Sequence, residues 1–87
     1  MHAVVVRVTI NDPEAATSAL NERVVPEVSN APGFVTGHWT RKDNSGLSMI
    51  VFESEEAATA ASERIQSTVP EQVTLESVEI REVVAHA

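Results

Sequence analysis

Six polar or aromatic side chains in the predicted strands could bind and activate a small molecule. They are Arg7, Thr9, Thr36, His38, Ser48 and Phe52. Arginine and hydroxyl groups can hold an anion by hydrogen bonds, phenylalanine can form an aromatic wall, and histidine can exchange a proton near neutral pH. The combination favours a small anionic or phenolic ligand. We take His38 and Arg7 as the catalytic candidates and the other four residues as ligand-binding candidates.

The strands that carry these residues are predicted from alternating apolar positions and from turn residues. The segment Ala3–Ile10 reads AVVVRVTI, in which every even-numbered residue is apolar. This alternation predicts a strand with one fully apolar face. Phe34–Arg41 and Leu47–Glu53 are predicted as two further strands. They are joined by the polar loop Lys42–Gly46, which reads KDNSG.

The six candidates share one side of the sheet only if this hairpin is symmetric about its loop. Under that pairing, Thr36 and His38 point to the same side as Ser48 and Phe52. The polar residues of the first strand join them if the apolar face of that strand packs on the helices. A polar, hydrated dimer interface is the alternative explanation of the same set, with Arg7 paired to a glutamate of the last strand.

The chain's one tryptophan, Trp39, is predicted on the other side of the second strand, together with Met49 and Val51 of the third. We expect it to pack in the core rather than to stack on a ligand, because only two other residues are aromatic. His2 begins the first strand and His86 follows the fourth, but two histidines are too few ligands for a metal site. We therefore predict no metal and no cofactor.

Two helices are predicted from capping residues and apolar stripes. Asp12 is a good N-cap before Pro13, and Ser54 is a good N-cap for the second helix, which ends at Pro70. The stripe of the first helix keeps its phase across Pro26, so we expect one bent helix with its apolar residues buried. That stripe consists of Ala16, Leu20, Val24, Val28 and Ala31.

The order of the predicted elements defines the fold. The last strand, Val73–Val84, changes its apolar phase near Glu76 and Ser77, which indicates a β-bulge. The order βαββαβ is that of an α+β ferredoxin-like domain covering residues 1–87. Right-handed crossovers predict an antiparallel-rich sheet of order 4-1-3-2 with both helices on one face.

Composition excludes several classes of partner. The net charge of −7 repels phosphate backbones, so no nucleic acid is expected as a partner. No apolar run is long enough to cross a membrane and no signal peptide is recognisable, so we expect a cytoplasmic protein without a membrane partner. The chain has no cysteine, which removes disulfides and thiolate catalysis.

The sheet face away from the helices is expected to be unusually apolar. Val5, Phe34, Ile50 and Phe52 are predicted to lie there. Monomeric proteins rarely expose an apolar patch of that kind. We therefore expect a homodimer in which a second copy covers this face.

Two short motifs resemble those of a known family. APGF at Ala31–Phe34 and VFESEEAA at Val51–Ala58 resemble the dimeric α+β barrel superfamily, in particular antibiotic-biosynthesis-monooxygenase-like proteins. In that family a PGF turn leads into the second strand, and a segment of the W-E-S-x-E-A type ends the third strand. Where oxygenase-type members have tryptophan this chain has Phe52, and where some have asparagine it has Ser48.

The resemblance implies a homodimer with facing sheets and a cleft in each subunit between its sheet and its helices or loops. Some members oxidise phenolic polyketides or degrade haem without a conventional redox cofactor. Two functions follow as expectations. One is a cofactor-independent, monooxygenase-like enzyme acting on a small aromatic metabolite, and the alternative is a non-catalytic dimer for small-molecule binding or protein interaction.

Overall fold

The computed structural model describes all 87 residues. The elements are β1 (His2–Ile10), α1 (Pro13–Ala19), a π-helical segment (Leu20–Val24), α2 (Val25–Ser29), β2 (Phe34–Lys42), β3 (Ser45–Phe52), α3 (Glu55–Ser67) and β4 (Val73–Glu82). The strands form one antiparallel sheet of order β2-β3-β1-β4. The predicted ferredoxin-like α+β fold is confirmed, because this order is 4-1-3-2 counted from the other edge.

Both predicted helix caps are formed. The Asp12 carboxylate accepts a hydrogen bond from the Ala15 amide at 3.2 Å, and the Ser54 hydroxyl oxygen accepts one from the Ala57 amide at 3.1 Å. Each cap satisfies an amide that has no partner inside its helix. None of the helices has the length and apolar character needed to span a membrane.

The helical part between β1 and β2 is continuous, as predicted, but it contains a wider turn. Within the π-helical segment the Val25 amide donates to the Leu20 carbonyl, five residues earlier. This turn comes directly before Pro26, which has no amide hydrogen to donate. The irregularity expected around Pro26 is therefore a π turn that widens the helix without interrupting it.

The β2–β3 hairpin turns over two residues, Asp43 and Asn44, and not over the predicted five-residue loop. Lys42 pairs with Ser45, and Asp43 has a φ of 55°, which suits a tight hairpin turn. The shorter turn changes the register of β2 against β3 by one residue. The β2 side chains from Thr36 to Arg41 therefore lie on the opposite side, relative to β3, from the one predicted. An irregularity between Phe34 and Thr36 keeps Phe34 opposite Phe52.

The core lies between the sheet and the helices. Val4 of β1 lies opposite Ile50 of β3, and together with Phe52 these side chains are at most 1% exposed. Phe34 packs against the same cluster. The expectation that Phe34, Ile50 and Phe52 lie on the face away from the helices is wrong, because all three pack with the helix-facing side of β1. Of the four predicted residues only Val5 lies on the other face.

We call the side of the sheet away from the helices the open face. The strand registers assign to it Ala3, Val5, Arg7 and Thr9 of β1, Thr36, His38 and Thr40 of β2, Leu47, Met49 and Val51 of β3, and Thr74, Ser77, Glu79 and Arg81 of β4. Leu47 and Met49 are 39% and 48% exposed. The open face therefore has an apolar centre, but most of the residues that form it are not the predicted ones.

The predicted β-bulge of the last strand is present. Arg7 lies opposite Ser77, whereas the next residue, Val8, lies opposite Leu75. Glu76 is therefore the extra residue of β4. The bulge keeps the apolar side chains of both halves of β4 on the helix side of the sheet.

Candidate functional site

A cavity of about 570 Å³ lies between the sheet and the helices. All four strands contribute to its floor, while the helical part between β1 and β2 forms one wall and α3 with the following residues 68–70 forms the other. Most of the lining side chains are apolar. A cleft between the sheet and the helices is the kind of site that the sequence resemblance implies.

Trp39 and Ser48 lie side by side in the floor of this cavity. They are directly opposite each other in the β2–β3 pair, and both are half-buried. Gly46 follows on the same side of β3, where an added Cβ would approach Val8 to 2.7 Å. The floor thus combines an aromatic ring and a hydroxyl group with a stretch that has no side chain.

Gly37 determines where the Trp39 ring can lie. A Cβ added to Gly37 would be 2.9 Å from Cη2 of Trp39, so the indole ring lies across the glycine. The same Cβ would be 3.6 Å from the ring of Phe34. Trp39 packs against the core cluster, as expected, and one part of it faces the cavity. Its predicted position beside Met49 and Val51 is wrong because of the register change.

The helical wall of the cavity is formed by the apolar stripe that was predicted to be buried. Leu20, Val24 and Val28 all line the cavity and are only half-buried. Burial of Leu20 and Val28 against the sheet is therefore incomplete, because the cavity separates this part of the helix from the strands. The π-helical segment provides two of these three residues.

Of the six predicted site residues, Ser48 lines the cavity. Phe52 is fully buried in the core, where its ring makes an edge-to-face contact with Phe34 at a centroid distance of 6.2 Å. It supports the floor from within the core and is not part of the cavity lining. The structure therefore does not bring Phe52 to a ligand-binding surface.

The other four predicted residues, Arg7, Thr9, Thr36 and His38, are all exposed on the open face. They lie on the opposite side of the sheet from Ser48, and β3 separates the two on β1 from the two on β2. The predicted convergence of all six is therefore wrong, since the two-residue turn shifts β2 and the β1 pairing directs Ser48 toward the helices. Thr9 donates a hydrogen bond to Glu76 at 2.9 Å, whereas Arg7 makes no ion pair.

Sequence reasoning did not identify four charged residues that line the cavity. They are Arg23, Glu27, Arg41 and Arg64. Arg41 and Trp39 are two residues apart in β2 and therefore share a side of the strand. A prediction of the tight Asp43-Asn44 turn would have placed both on the helix side. The other three lie on exposed helix positions, where charge alone gives no signal of a site.

Comparison with known proteins supports the fold. No family model matches the sequence, and no curated protein matches it. Among solved structures, the chain is similar to that of MhuD, a heme degrader from Mycobacterium tuberculosis solved with two hemes in its active site. The TM-score is 0.54 and the identity 24%, over 97% of this chain and 98% of that one. The ferredoxin-like α+β fold expected from the sequence is thus confirmed over the whole length of this chain.

Proposed function

We propose that this protein binds a small aromatic metabolite in the cavity and acts on it as a cofactor-independent, monooxygenase-like enzyme. The observation that supports the proposal most is a largely apolar cavity of about 570 Å³ with the Trp39 ring in its floor. Small-molecule sites commonly have volumes of roughly 300–1,000 Å³ and a mainly apolar lining with a few polar groups. Here Ser48 supplies such a group beside the ring.

An aromatic ligand matches this floor for a physical reason. Trp39 presents part of a large flat ring, and aromatic rings attract one another in offset or edge-to-face arrangements by about 0.5–1.5 kcal/mol beyond simple burial. The Ser48 hydroxyl group is close enough along the sheet to hydrogen-bond a phenol or carbonyl oxygen of the same ligand. Ligand orientation would then be set by one stacking contact and one hydrogen bond.

The similarity to a heme degrader raises the question of whether heme fits this cavity. Heme iron is held in proteins by histidine, cysteine, methionine or tyrosine. None of the residues that line the cavity is of these types. The lining therefore does not fit heme as a ligand bound through its iron, and we propose a metal-free aromatic molecule instead.

Oxygenation without a metal or flavin requires a substrate that can supply the electrons itself. A methylene carbon between two aromatic rings that is conjugated with a carbonyl group, as in an anthrone, meets this requirement, because the carbonyl oxygen carries the charge of the anion. Removal of one proton gives an anion that can react with O2. Both C–H bonds at that carbon are broken, one oxygen atom becomes the carbonyl oxygen, and the other leaves as water. The fold shared with a heme degrader supports an enzymatic role for a protein of this architecture.

The proton acceptor for this reaction would have to face the cavity. His38, the candidate from the sequence, lies on the open face. Glu27 is the one carboxylate residue that lines the cavity. We therefore assign proton removal to Glu27 in this proposal and assign orientation of the substrate to Ser48 and Trp39.

A homodimer is part of the proposal. Leu47 and Met49 expose apolar side chains at the centre of the open face, and Val5 and Val51 lie beside them. A second copy seated on this face would remove that surface from water, at about 25 cal/mol per Å² of apolar area. Arg7 and His38 would then lie in or near a polar part of the interface, as in the alternative explanation of the six candidates.

The alternative function is a binding dimer without catalysis, and it is favoured by one observation. The cavity contains no histidine, and its carboxylate residue, Glu27, is exposed. A thermal-shift screen with phenols, anthrones and quinones, followed by oxygen-electrode measurements on each compound that binds, separates the two functions. Consumption of one O2 per ketone formed, above the rate without protein, supports the enzyme. Stabilisation without oxygen uptake supports the binding dimer, and no stabilisation by any compound contradicts both.

A further inference from the structure

The charges around the cavity differ in sign from those of the rest of the molecule. The chain has six basic and thirteen acidic residues. Three of the six basic residues line the cavity, namely Arg23, Arg41 and Arg64, but of the acidic residues only Glu27 does so. A protein of net charge −7 therefore has a predominantly positive cavity lining.

The three arginines belong to three different parts of the cavity wall. Arg23 lies in the π-helical segment, Arg41 in β2 and Arg64 in α3. All three are exposed, and all three contribute to the lining of the cavity. A ligand in the cavity would thus meet a cationic group on more than one side.

None of the three guanidinium groups forms an ion pair or donates a side-chain hydrogen bond within the protein. The two ion pairs of the structure are His2 with Glu55 and Arg81 with Glu79. Glu27 is one turn from Arg23 but does not pair with it, and no side-chain hydrogen bond has Arg23, Arg41 or Arg64 as its donor. A guanidinium group has five N–H donors in a planar fork that matches a carboxylate, so these groups are free to bind one.

We propose that the ligand of this cavity is an aromatic carboxylate, whose ring lies on Trp39 and whose anionic group is held by the arginines that surround it. This inference rests on the proposed function and defines the substrate class of the same site. The overall negative charge does not oppose it, because screening at physiological salt limits the reach of distant charges to about 8 Å. For a ligand in the cavity, the nearby guanidinium groups determine the local electrostatic potential.

The test compares two probes that differ only in charge, naphthalene-2-carboxylate and naphthalene-2-carboxamide, by isothermal titration calorimetry. We expect the carboxylate to bind at least about tenfold more tightly, which is the scale of one hydrogen bond to a charged group. Replacing all three residues, Arg23→Gln, Arg41→Gln and Arg64→Gln, should remove this preference and leave binding of the amide unchanged. Lys42→Gln is the matched control. It removes one positive charge next to Arg41, at a residue that does not line the cavity, and should keep the preference.

Equal affinity of the wild-type protein for both probes would overturn the carboxylate inference and leave the proposed aromatic site intact. Failure of both probes to bind would overturn the aromatic site and the inference with it. If the triple variant does not fold, salt dependence of the wild-type protein replaces it: raising NaCl from 50 to 500 mM should weaken the carboxylate several-fold and the amide hardly at all. Identical salt dependence for both probes would contradict the proposal.

Discussion

Trp39 of β2 and Ser48 of β3 lie directly opposite each other, and both line the cavity between the sheet and the helices. This relationship depends on the two-residue turn at Asp43 and Asn44, because a change of one residue in the turn would move Trp39 to the open face. The cavity, its aromatic ring and its hydroxyl group are therefore consequences of the hairpin register.

Gly37→Ala should displace the Trp39 ring. The new Cβ would come within 2.9 Å of Cη2 of the indole, so the ring must turn or shift. We expect a shift of the tryptophan emission maximum and a several-fold loss of affinity for 2-naphthol, while the far-ultraviolet circular dichroism is retained. His38→Ala, at the neighbouring residue on the open face, is the control. An unchanged emission spectrum in Gly37→Ala would show that the ring does not lie across Gly37.

Glu27→Gln should lower any oxygenase turnover by roughly 10² or more, since general-base catalysis commonly contributes that much. The change removes the carboxylate that lines the cavity and keeps the size of the side chain. Glu22→Gln is a matched control five residues earlier in the same helical part, at a residue that does not line the cavity. His38→Ala should likewise retain its activity. Wild-type rates in Glu27→Gln, measured with an oxygen electrode, would remove Glu27 from the mechanism.

Met49→Glu should convert the proposed dimer into a monomer. The change places a charge in the exposed apolar centre of the open face, where two copies would face each other. Light scattering at micromolar concentration should give the mass of a dimer for the wild-type chain and of a monomer for this variant. Gln66→Glu, which adds the same charge on the exposed side of α3, should stay dimeric. A monomeric wild-type chain would refute the dimer itself.

Phe52→Ala should lower the free energy of unfolding by about 3–5 kcal/mol. Phe52 is fully buried and contacts Phe34 edge to face, so its loss leaves a cavity in the core. The exposed Val35→Ala should cost well under that, since single surface changes are usually within about 0.5 kcal/mol. Urea titrations measure both. A loss below about 1 kcal/mol for Phe52→Ala would return Phe52 to the list of candidate surface residues.

Local sequence patterns were sufficient to predict the fold but not the site. The alternation of Val4, Val6, Val8 and Ile10 defines β1, and the caps Asp12 and Ser54 define the helix starts, because each of these signals acts within a few residues. Even the β4 bulge could be read from a change of phase along one strand. The strand order followed from the handedness of crossovers.

The residues of the site could not be predicted without knowing how the strands pair. Ser48 could be assigned to either side of the sheet until the partners of β3 were known, and the KDNSG segment allows both a two-residue and a five-residue turn. With the longer turn, His38 lies on the same side of the sheet as Ser48. With the observed one, Ser48 joins Trp39 in the cavity. A shift of one residue in the β2–β3 register therefore determines whether His38 or Trp39 is predicted beside Ser48.

The most direct test for an aromatic-binding site between the sheet and the helices is a titration with 2-naphthol that is monitored by the fluorescence of Trp39. The chain has one tryptophan and no tyrosine, so the emission reports on the cavity floor alone. We expect saturable quenching in the wild-type protein and in Leu47→Phe, which adds bulk on the open face. Ser48→Phe, which adds bulk to the cavity floor, should weaken binding at least about tenfold, equivalent to 1.4 kcal/mol. Absence of saturable quenching in the wild-type protein, or equal dissociation constants in the two variants, would contradict an aromatic-binding site between the sheet and the helices.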